Sequence, residues 1–331
     1  MKITALQTFR AGGSTVLRVE TDDRLTGYGE TSVIPPADRA LLLAKARGRE
    51  VSSFEVLRME LAAAPTAQAA LNMALLDLLG KKTGVPVYQI LGGATRAKIR
   101  VMTALVGDGA AQVKAGHRAL VVSLPDLTPT TPRHDYVSKV LAYLESLRRS
   151  LGENVDFVLD AHGNLPPATA ASLAAAVEKF HLLWFDEPCA LTNLAAVRKI
   201  ARENVTPLGF GRNIVQPSQV QDLFREQSID ILRLDIRKHG ITQIRRLAAL
   251  AETYYAAVAP FNDGGPIASA AAIQLAASLP NFFIQQLPAT LNTDYASGPP
   301  PLENGYVQLP TTPGMGITIN EAALTRYQET A

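Results

Sequence analysis

Apolar residues change their spacing along this chain, and the change divides it. Near the start, three short runs rich in β-branched residues occur at Ile3 to Phe9, Ser14 to Glu20 and Leu25 to Thr31. Gly12-Gly13 and Asp22-Asp23 separate them, and such punctuation predicts strands joined as antiparallel hairpins. Three helical stretches follow, interrupted by Pro35-Pro36 and Gly48. The clearest is Thr66 to Thr83, where Ala70, Leu71, Ala74, Leu75, Leu78 and Leu79 recur at helical spacing and Gly84 stands where a C-cap falls. The unit ends at VPVYQILGG, whose Gly92-Gly93 reads as a boundary. An α+β domain is expected over residues 1–93.

From Lys98 the pattern becomes strand, helix, strand, helix. Strands are predicted at Ile99 to Leu105, Ala119 to Leu124, Val155 to Ala161, Leu182 to Glu187, Thr206 to Gly211, Ile231 to Ile236, Ala256 to Phe261 and Phe282 to Leu287. Helices are predicted between most of them, at Asp135 to Leu151, Pro166 to Phe180, Leu194 to Asn204, Pro217 to Glu226, Thr242 to Tyr254 and Ile267 to Ser278. This alternation predicts an α/β fold, a closed (β/α)₈-type (modified TIM) barrel over residues 94–290 rather than an open sheet. Val106 to Gly116 is short for a full helix, and Thr128 to Arg133 is expected to be a loop at the active face. Residues 291–331 form a Pro/Gly-rich return expected to fold back onto the first domain.

Composition adds bounds. The chain has 331 residues, 47% hydrophobic and 19% charged, with a formal net charge of +2. That is the profile of a soluble globular protein, with nothing pointing to nucleic acid or a membrane surface. No window reaches the roughly twenty apolar residues of a membrane span, and the first residues lack the apolar core of a signal peptide. The one cysteine, Cys189, allows no internal disulfide and is expected to be a small apolar loop residue. A cytoplasmic protein is expected. There is no Walker A motif, no G-x-G-x-x-G after a strand, no C-x-x-C and no H-E-x-x-H.

The chemistry gathers at two stretches, VDFVLDAHGN and LLWFDEP. Each apolar run ends in a carboxylate, Asp160 in the first and Glu187 in the second. Barrels place their chemistry at such C-terminal strand tips. His162, two residues past Asp160, should point into the same mouth. Trp184 is expected to pack in or around the barrel.

These residues, with GYGE (Gly27 to Glu30), the Leu-Gly-Gly boundary and Asn304 to Gly316, resemble the enolase superfamily in its mandelate racemase/muconate lactonizing enzyme-like branch. Asp-x-His-Gly, APFNDGGPIASAA and NFFIQQ look most like acid-sugar dehydratases of the galactonate type. The resemblance implies Mg²⁺ held by three carboxylates at the tips of barrel strands three, four and five. It also implies a base that removes the proton α to a substrate carboxylate while the ion stabilises the enediolate. Asp160 and Glu187 match the first two ligands, His162 the general acid, and Asp235 the partner of the catalytic His.

Other matching positions differ. The third ligand is Arg212, the base His is Phe261, the strand-eight Glu is Gln286, and the strand-two polar pair is Val121 and Ser123. A guanidinium keeps its proton and cannot ligate Mg²⁺, so Arg212 is expected to pair with Asp160 and Glu187 in the ion's place. The other expectation is Mg²⁺ on Asp160 and Glu187 with waters. Lys238, His239 and Asp263, the nearest substitute bases, are expected to be solvated loop charges.

Two functions follow. One is a dehydratase-like scaffold whose Mg²⁺-assisted proton abstraction is impaired. The alternative is an active, divergent Mg²⁺-dependent dehydratase or racemase of a hydroxy-carboxylate, using Asp160, Glu187 and His162. The partner is expected to be a small carboxylate or acid sugar. By resemblance, a homo-oligomer is expected. The cap segment Thr31 to Glu55 looks shorter than the family's, which would leave the mouth more open.

Overall fold

The computed structural model describes residues 1–126, 132–191, 194–214 and 217–328. The N-terminal strands β1 (Ile3–Ala11), β2 (Ser14–Thr21) and β3 (Thr26–Thr31) form an antiparallel sheet in the order β1-β2-β3. Helices α1 (Pro36–Ala46), α2 (Phe54–Glu60) and α3 (Pro65–Thr83) follow, then a single turn α4 (Val87–Ile90).

GYGE shows why β3 can lie on α3. A Cβ on Gly29 would stand 1.8 Å from the Ala70 carbonyl oxygen, and one on Gly27 2.3 Å from that of Ala74. Backbone meets backbone there, so neither position tolerates a side chain. Glu30, fully buried, reaches past the domain and accepts from the backbone N–H groups of Gly265, Ile267 and Ala268.

Those N–H groups open a barrel helix, so Glu30 caps it from outside. The barrel strands are β4 (Lys98–Ala104), β5 (Ala119–Ser123), β6 (Asp156–Asp160), β7 (Trp184–Asp186), β8 (Leu208–Phe210), β9 (Ile231–Leu232), β10 (Ala257–Val258) and β11 (Gln285–Gln286). They pair in parallel from β4 to β10, and β11 pairs with β4. A Val258–Phe282 bridge closes the ring between β10 and the approach to β11. The fold is a (β/α)₈ barrel with an N-terminal α+β cap.

Outside the strands lie α5 (Ala110–Lys114), α6 (Arg133–Leu151), α7 (Pro167–Ala176), α8 (Leu194–Glu203), α9 (Pro217–Arg225), α10 (Ile236–Thr253) and α11 (Pro266–Ser278). Most of the loop expected over Thr128 to Arg133 falls outside the described residues, and Arg133 opens α6. Helix α10 breaks at Gly240, where φ is 68°. There Asn72 of α3 accepts from the Thr242 N–H at 3.1 Å and donates to its hydroxyl at 2.9 Å, restarting the helix from the cap side.

The return ends on both units. β12 (Leu302–Glu303) and β13 (Tyr306–Gln308) form a hairpin whose β13 pairs antiparallel with the first half of β4. Helix α12 (Glu321–Thr325) lies against β1, and Gln328 bridges Phe9. Among the described residues no helix is long and apolar enough to cross a membrane.

Candidate functional site

Strand alternation builds the barrel interior in two layers. The inner layer is apolar: Met102, Val121, Val158, Trp184, Ile231, Ala259 and Ile284 are buried in one cluster. Two residues further along the strands, at the mouth, stand Ser123, Asp160, Asp186, Arg233, Phe261 and Gln286. Val121 therefore belongs to the packed floor, whereas Ser123 belongs to the mouth. Gly209 makes room for this arrangement, since a Cβ there would meet the Trp184 ring at 2.4 Å and Asp186 at 2.7 Å.

The centre of the mouth is an ion-pair chain. Arg212 Nη1 donates to Asp160 Oδ2 at 2.8 Å and Nη2 to Oδ1 at 2.5 Å, a two-toothed pair that is almost wholly buried. The same Nη2 lies 3.5 Å from Asp186 Oδ2. Asp186 also accepts from Trp184 Nε1 at 2.8 Å and from Arg233 Nε at 3.1 Å. Arg233, fully buried, donates onward to the Ala259 carbonyl at 2.8 Å and to Gln286 at 2.6 Å. The Phe261 ring lies under both cations, 5.0 Å from Arg212 and 5.6 Å from Arg233.

Glu187 is placed differently from the expectation. Its φ of 43° turns it off the strand line, and Oε1 accepts from the backbone N–H groups of Gly211 at 2.8 Å and Arg212 at 2.9 Å. The second carboxylate that the Arg212 guanidinium meets is therefore Asp186, not Glu187. Burial, reinforced by the Asp186 charge, pushes the Glu187 carboxyl up to about 7. Glu187 lines a cavity of about 360 Å³ together with His162, Asn164 and Asn213.

His162 does reach the mouth, by a left-handed turn at φ 53° rather than by strand alternation. Its backbone N–H donates to Asp160 at 2.8 Å, its Nδ1 stands 3.4 Å from Asp160 Oδ2, and its Nε2 meets the Ser123 hydroxyl at 3.2 Å. Asp235 is not part of this group. It caps α10 by accepting from the Arg237 N–H at 2.9 Å, and burial pushes its pKa up against the pull of Arg237.

Two loop charges expected to be solvated are not. His239 is buried, with Nδ1 3.0 Å from the Asp235 carbonyl and Nε2 3.1 Å from that of Ile214. Lys238 donates to the Arg212 carbonyl at 2.9 Å. The expectation failed because both follow Asp235 in the first turn of α10, packed beneath the loop that carries Arg212. Asp263 is exposed and pairs with Arg237. Cys189 is buried and its thiol is pushed up to about 11 by burial and by Glu187, which leaves it inert at neutral pH.

Asp186 and Arg233 were missed. The strand period held the signal: Trp184-x-Asp186 and Ile231-x-Arg233 place both inward, as Val158-x-Asp160 does.

Residues 2–92 match the family model of the mandelate racemase/muconate lactonizing enzyme N-terminal domain, and residues 92–323 match that of the enolase C-terminal domain-like group. The chain belongs to the mandelate racemase/muconate lactonizing enzyme branch of the enolase superfamily. Its relatives include a D-galactonate dehydratase of Ralstonia pickettii, 30% identical, with 97% of this chain and 93% of that protein covered. The D-galactonate dehydratase family member ManD of Chromohalobacter salexigens is 31% identical over 79% of this chain and 74% of its own. Among solved structures, an enolase from Agrobacterium radiobacter, bound to Na and L-malate, superposes with a TM-score of 0.91 at 25% identity, covering 99% of this chain and 95% of that one. The Ralstonia alignment spans 356 residues against a chain of 331, so that relative carries segments that this enolase-superfamily chain lacks.

The donor set at this mouth does not fit the family's divalent ion. Both Asp160 oxygens are taken by Arg212, one Glu187 oxygen is held by two N–H groups, and the third ligand position is a cation. Among the described residues no group of three His, Cys, Asp or Glu side chains is arranged to hold a metal.

Proposed function

We propose that this protein is an acid-sugar dehydratase-like scaffold that does not carry out Mg²⁺-assisted α-proton abstraction, and that its mouth takes a small acid without a metal. The observation that carries this reading is the two-toothed Arg212–Asp160 pair, which sets a fixed positive charge where a divalent ion would need oxygen ligands. Phe261 supports it, because a phenyl ring cannot accept a proton and here it packs beneath the guanidinium. An α-proton next to a carboxylate is too weakly acidic to be removed without strong cationic stabilisation of the enediolate. Arg212 cannot supply that stabilisation while both of its Nη groups are committed to carboxylates.

What remains at the mouth is hydrogen-bonding capacity and two proton carriers. His162 and Glu187 face one cavity with Asn164 and Asn213, a lining suited to the hydroxyl groups of a small polar ligand. Asp235 is assigned the positioning of the α10 start rather than proton transfer. A homo-oligomer in the cytoplasm completes the proposal, on the family resemblance.

The test pairs two measurements. Heat denaturation is followed with and without millimolar MgCl₂, and a library of acid sugars is assayed for dehydration. No midpoint shift and no turnover are expected. Mg²⁺-dependent turnover of any acid sugar, lost on chelation, would overturn the reading in favour of an active divergent dehydratase.

A further inference from the structure

A second cavity, of about 650 Å³, lies between the cap and the barrel, and none of its lining residues is shared with the mouth cavity. The loop that carries Arg212 separates the two, with Asn213 on the mouth side and Ile214 on the other. The cap contributes Arg58 of α2, the turn into α3, and Gln68; the barrel contributes Lys238, Gln243 and Leu247 of α10. Its volume lies within the range of small-molecule pockets.

Three features of this cavity ask for an anion. First, α3 begins there without a capping side chain and without an acidic residue in its first turn. Pro65 has no N–H and the Gln68 N–H bonds to the Ala64 carbonyl, so the open N–H groups at this positive end of the helix dipole are those of Thr66 and Ala67, and Thr66 lines the cavity. Second, Gln68 is 8% exposed and lines the cavity, yet its Nε2 has no hydrogen-bond partner. A buried amide donor without a partner costs about 1–3 kcal/mol unless something accepts from it. Third, among the described residues the charged side chains in the lining are Arg58 and Lys238, both cationic; Arg58 Nε already donates to Glu55 Oε2 at 2.9 Å, which leaves its two Nη groups. Lys238 gives one N–H to the Arg212 carbonyl, which leaves further donor capacity on its ammonium.

The remaining wall defines the rest of the ligand. Ala62, Ala63, Ile214 and Leu247 offer an apolar surface. Gln243 lines the same wall with an Oε1 that has no donor. We infer that this cavity is a binding site for a small organic carboxylate with an apolar body and a hydroxyl group. The carboxylate meets Gln68 Nε2, the α3 N-terminus, Arg58 and Lys238; the hydroxyl donates to Gln243. His239 takes no part, because both of its ring nitrogens already face carbonyl oxygens.

The inference is independent of what the mouth binds. The full chain is titrated with 2-hydroxyisocaproate by calorimetry, with inorganic phosphate as a second probe that lacks the apolar body. Saturable binding of 2-hydroxyisocaproate is expected, with phosphate weaker. Gln68→Leu, which keeps the size and removes the donor, should weaken binding about 5-fold, and Lys238→Met about 10-fold, as losses of a neutral and a charge-assisted hydrogen bond. Arg58→Ala, at a partly exposed α2 position where the loss of the Glu55 pair has little weight in stability, should weaken it as well. Val205→Ala, at an exposed residue outside both cavities, should leave the affinity unchanged. No saturable signal up to about 10 mM probe would overturn the site, that concentration being the reach of a weak complex. Equal affinity across Gln68→Leu, Lys238→Met and Arg58→Ala, or an equal loss of binding in Val205→Ala, would overturn its location.

Discussion

A carboxyl held at about 7 inside a folded protein makes stability depend on pH, and Glu187 is such a group. Its ordinary value is 4.5, and burial is the main cause of the rise, followed by the Asp186 charge. Between those two values the folded state holds more protons than the unfolded one, so stability falls as pH rises through the window. A shift of this size corresponds to about 3 kcal/mol. The stability of Glu187→Gln relative to the unsubstituted protein should therefore increase from pH 4.5 to pH 7 and then level off. Urea unfolding at several pH values measures it, and a difference that stays flat across the window would contradict the assignment. Arg212 acts in the opposite sense. Arg212→Met leaves the Asp160 carboxylate buried without its partner, which should cost about 3–5 kcal/mol. Adding Asp160→Leu should recover most of that loss, whereas additive costs would mean that the pair is not coupled. Half of this mouth could be read from residue types alone. Asp160 and His162 announced themselves by matching a motif, and Arg212 and Phe261 by standing where a motif has something else. Asp186 and Arg233 did not, because their inward direction is set by the strand period, whereas the motif Asp-Glu-Pro marks Glu187.

At the scale of elements, the backbone contact between β3 and α3 is the tightest requirement in the cap. A Cβ at Gly29 would fall 1.8 Å from the Ala70 carbonyl oxygen, and a carbonyl inside a helix cannot step aside. Gly29→Ala should cost about 3 kcal/mol or more, the upper end of overpacking effects. Gly12→Ala, in the β1–β2 turn, makes an instructive comparison. It has φ +61° and nothing within 4 Å, so only backbone strain of about 1 kcal/mol is expected there. Thermal midpoints that fell equally in both variants would refute the packing argument. Strand, helix and turn positions were legible because their periodicities differ, yet most barrel strands proved shorter than their apolar runs. An apolar run marks burial, and at strand ends burial continues where the ladder has stopped. The first turn of α10 was missed for a related reason. Gly240 interrupts the helical spacing, and the cap of the second segment comes from Asn72, which is remote in sequence.

Across the whole molecule, the question is whether the cap and barrel are one cooperative unit. Three ties join them, and a fourth joins the cap to the C-terminal return, in places that water does not reach freely. Glu30 holds the start of α11, Asn72 the restart of α10, Thr31 donates to the Arg237 carbonyl at 2.6 Å, and Asp77 accepts from the Met315 N–H at 2.8 Å. Opening the cap would exchange the Glu30 bonds for bonds to water and, at greater cost, expose Met73 and Leu76 of α3, which are buried in one cluster with Ile241 and Ile244 of α10, at about 1.5–3 kcal/mol for each such side chain. Separation before unfolding is therefore disfavoured by several kcal/mol, and one transition should cover both units. Trp184, the only tryptophan, is buried in the barrel interior and reports on the barrel alone, whereas far-ultraviolet circular dichroism reports on all helices and strands. The two signals should melt with one midpoint. In Glu30→Ala both should move down together, because the lost cap weakens a barrel helix as much as it frees the cap. A dichroism loss that preceded the fluorescence change would show a cap able to unfold by itself, and the ties across the interface would then count for less than their geometry implies.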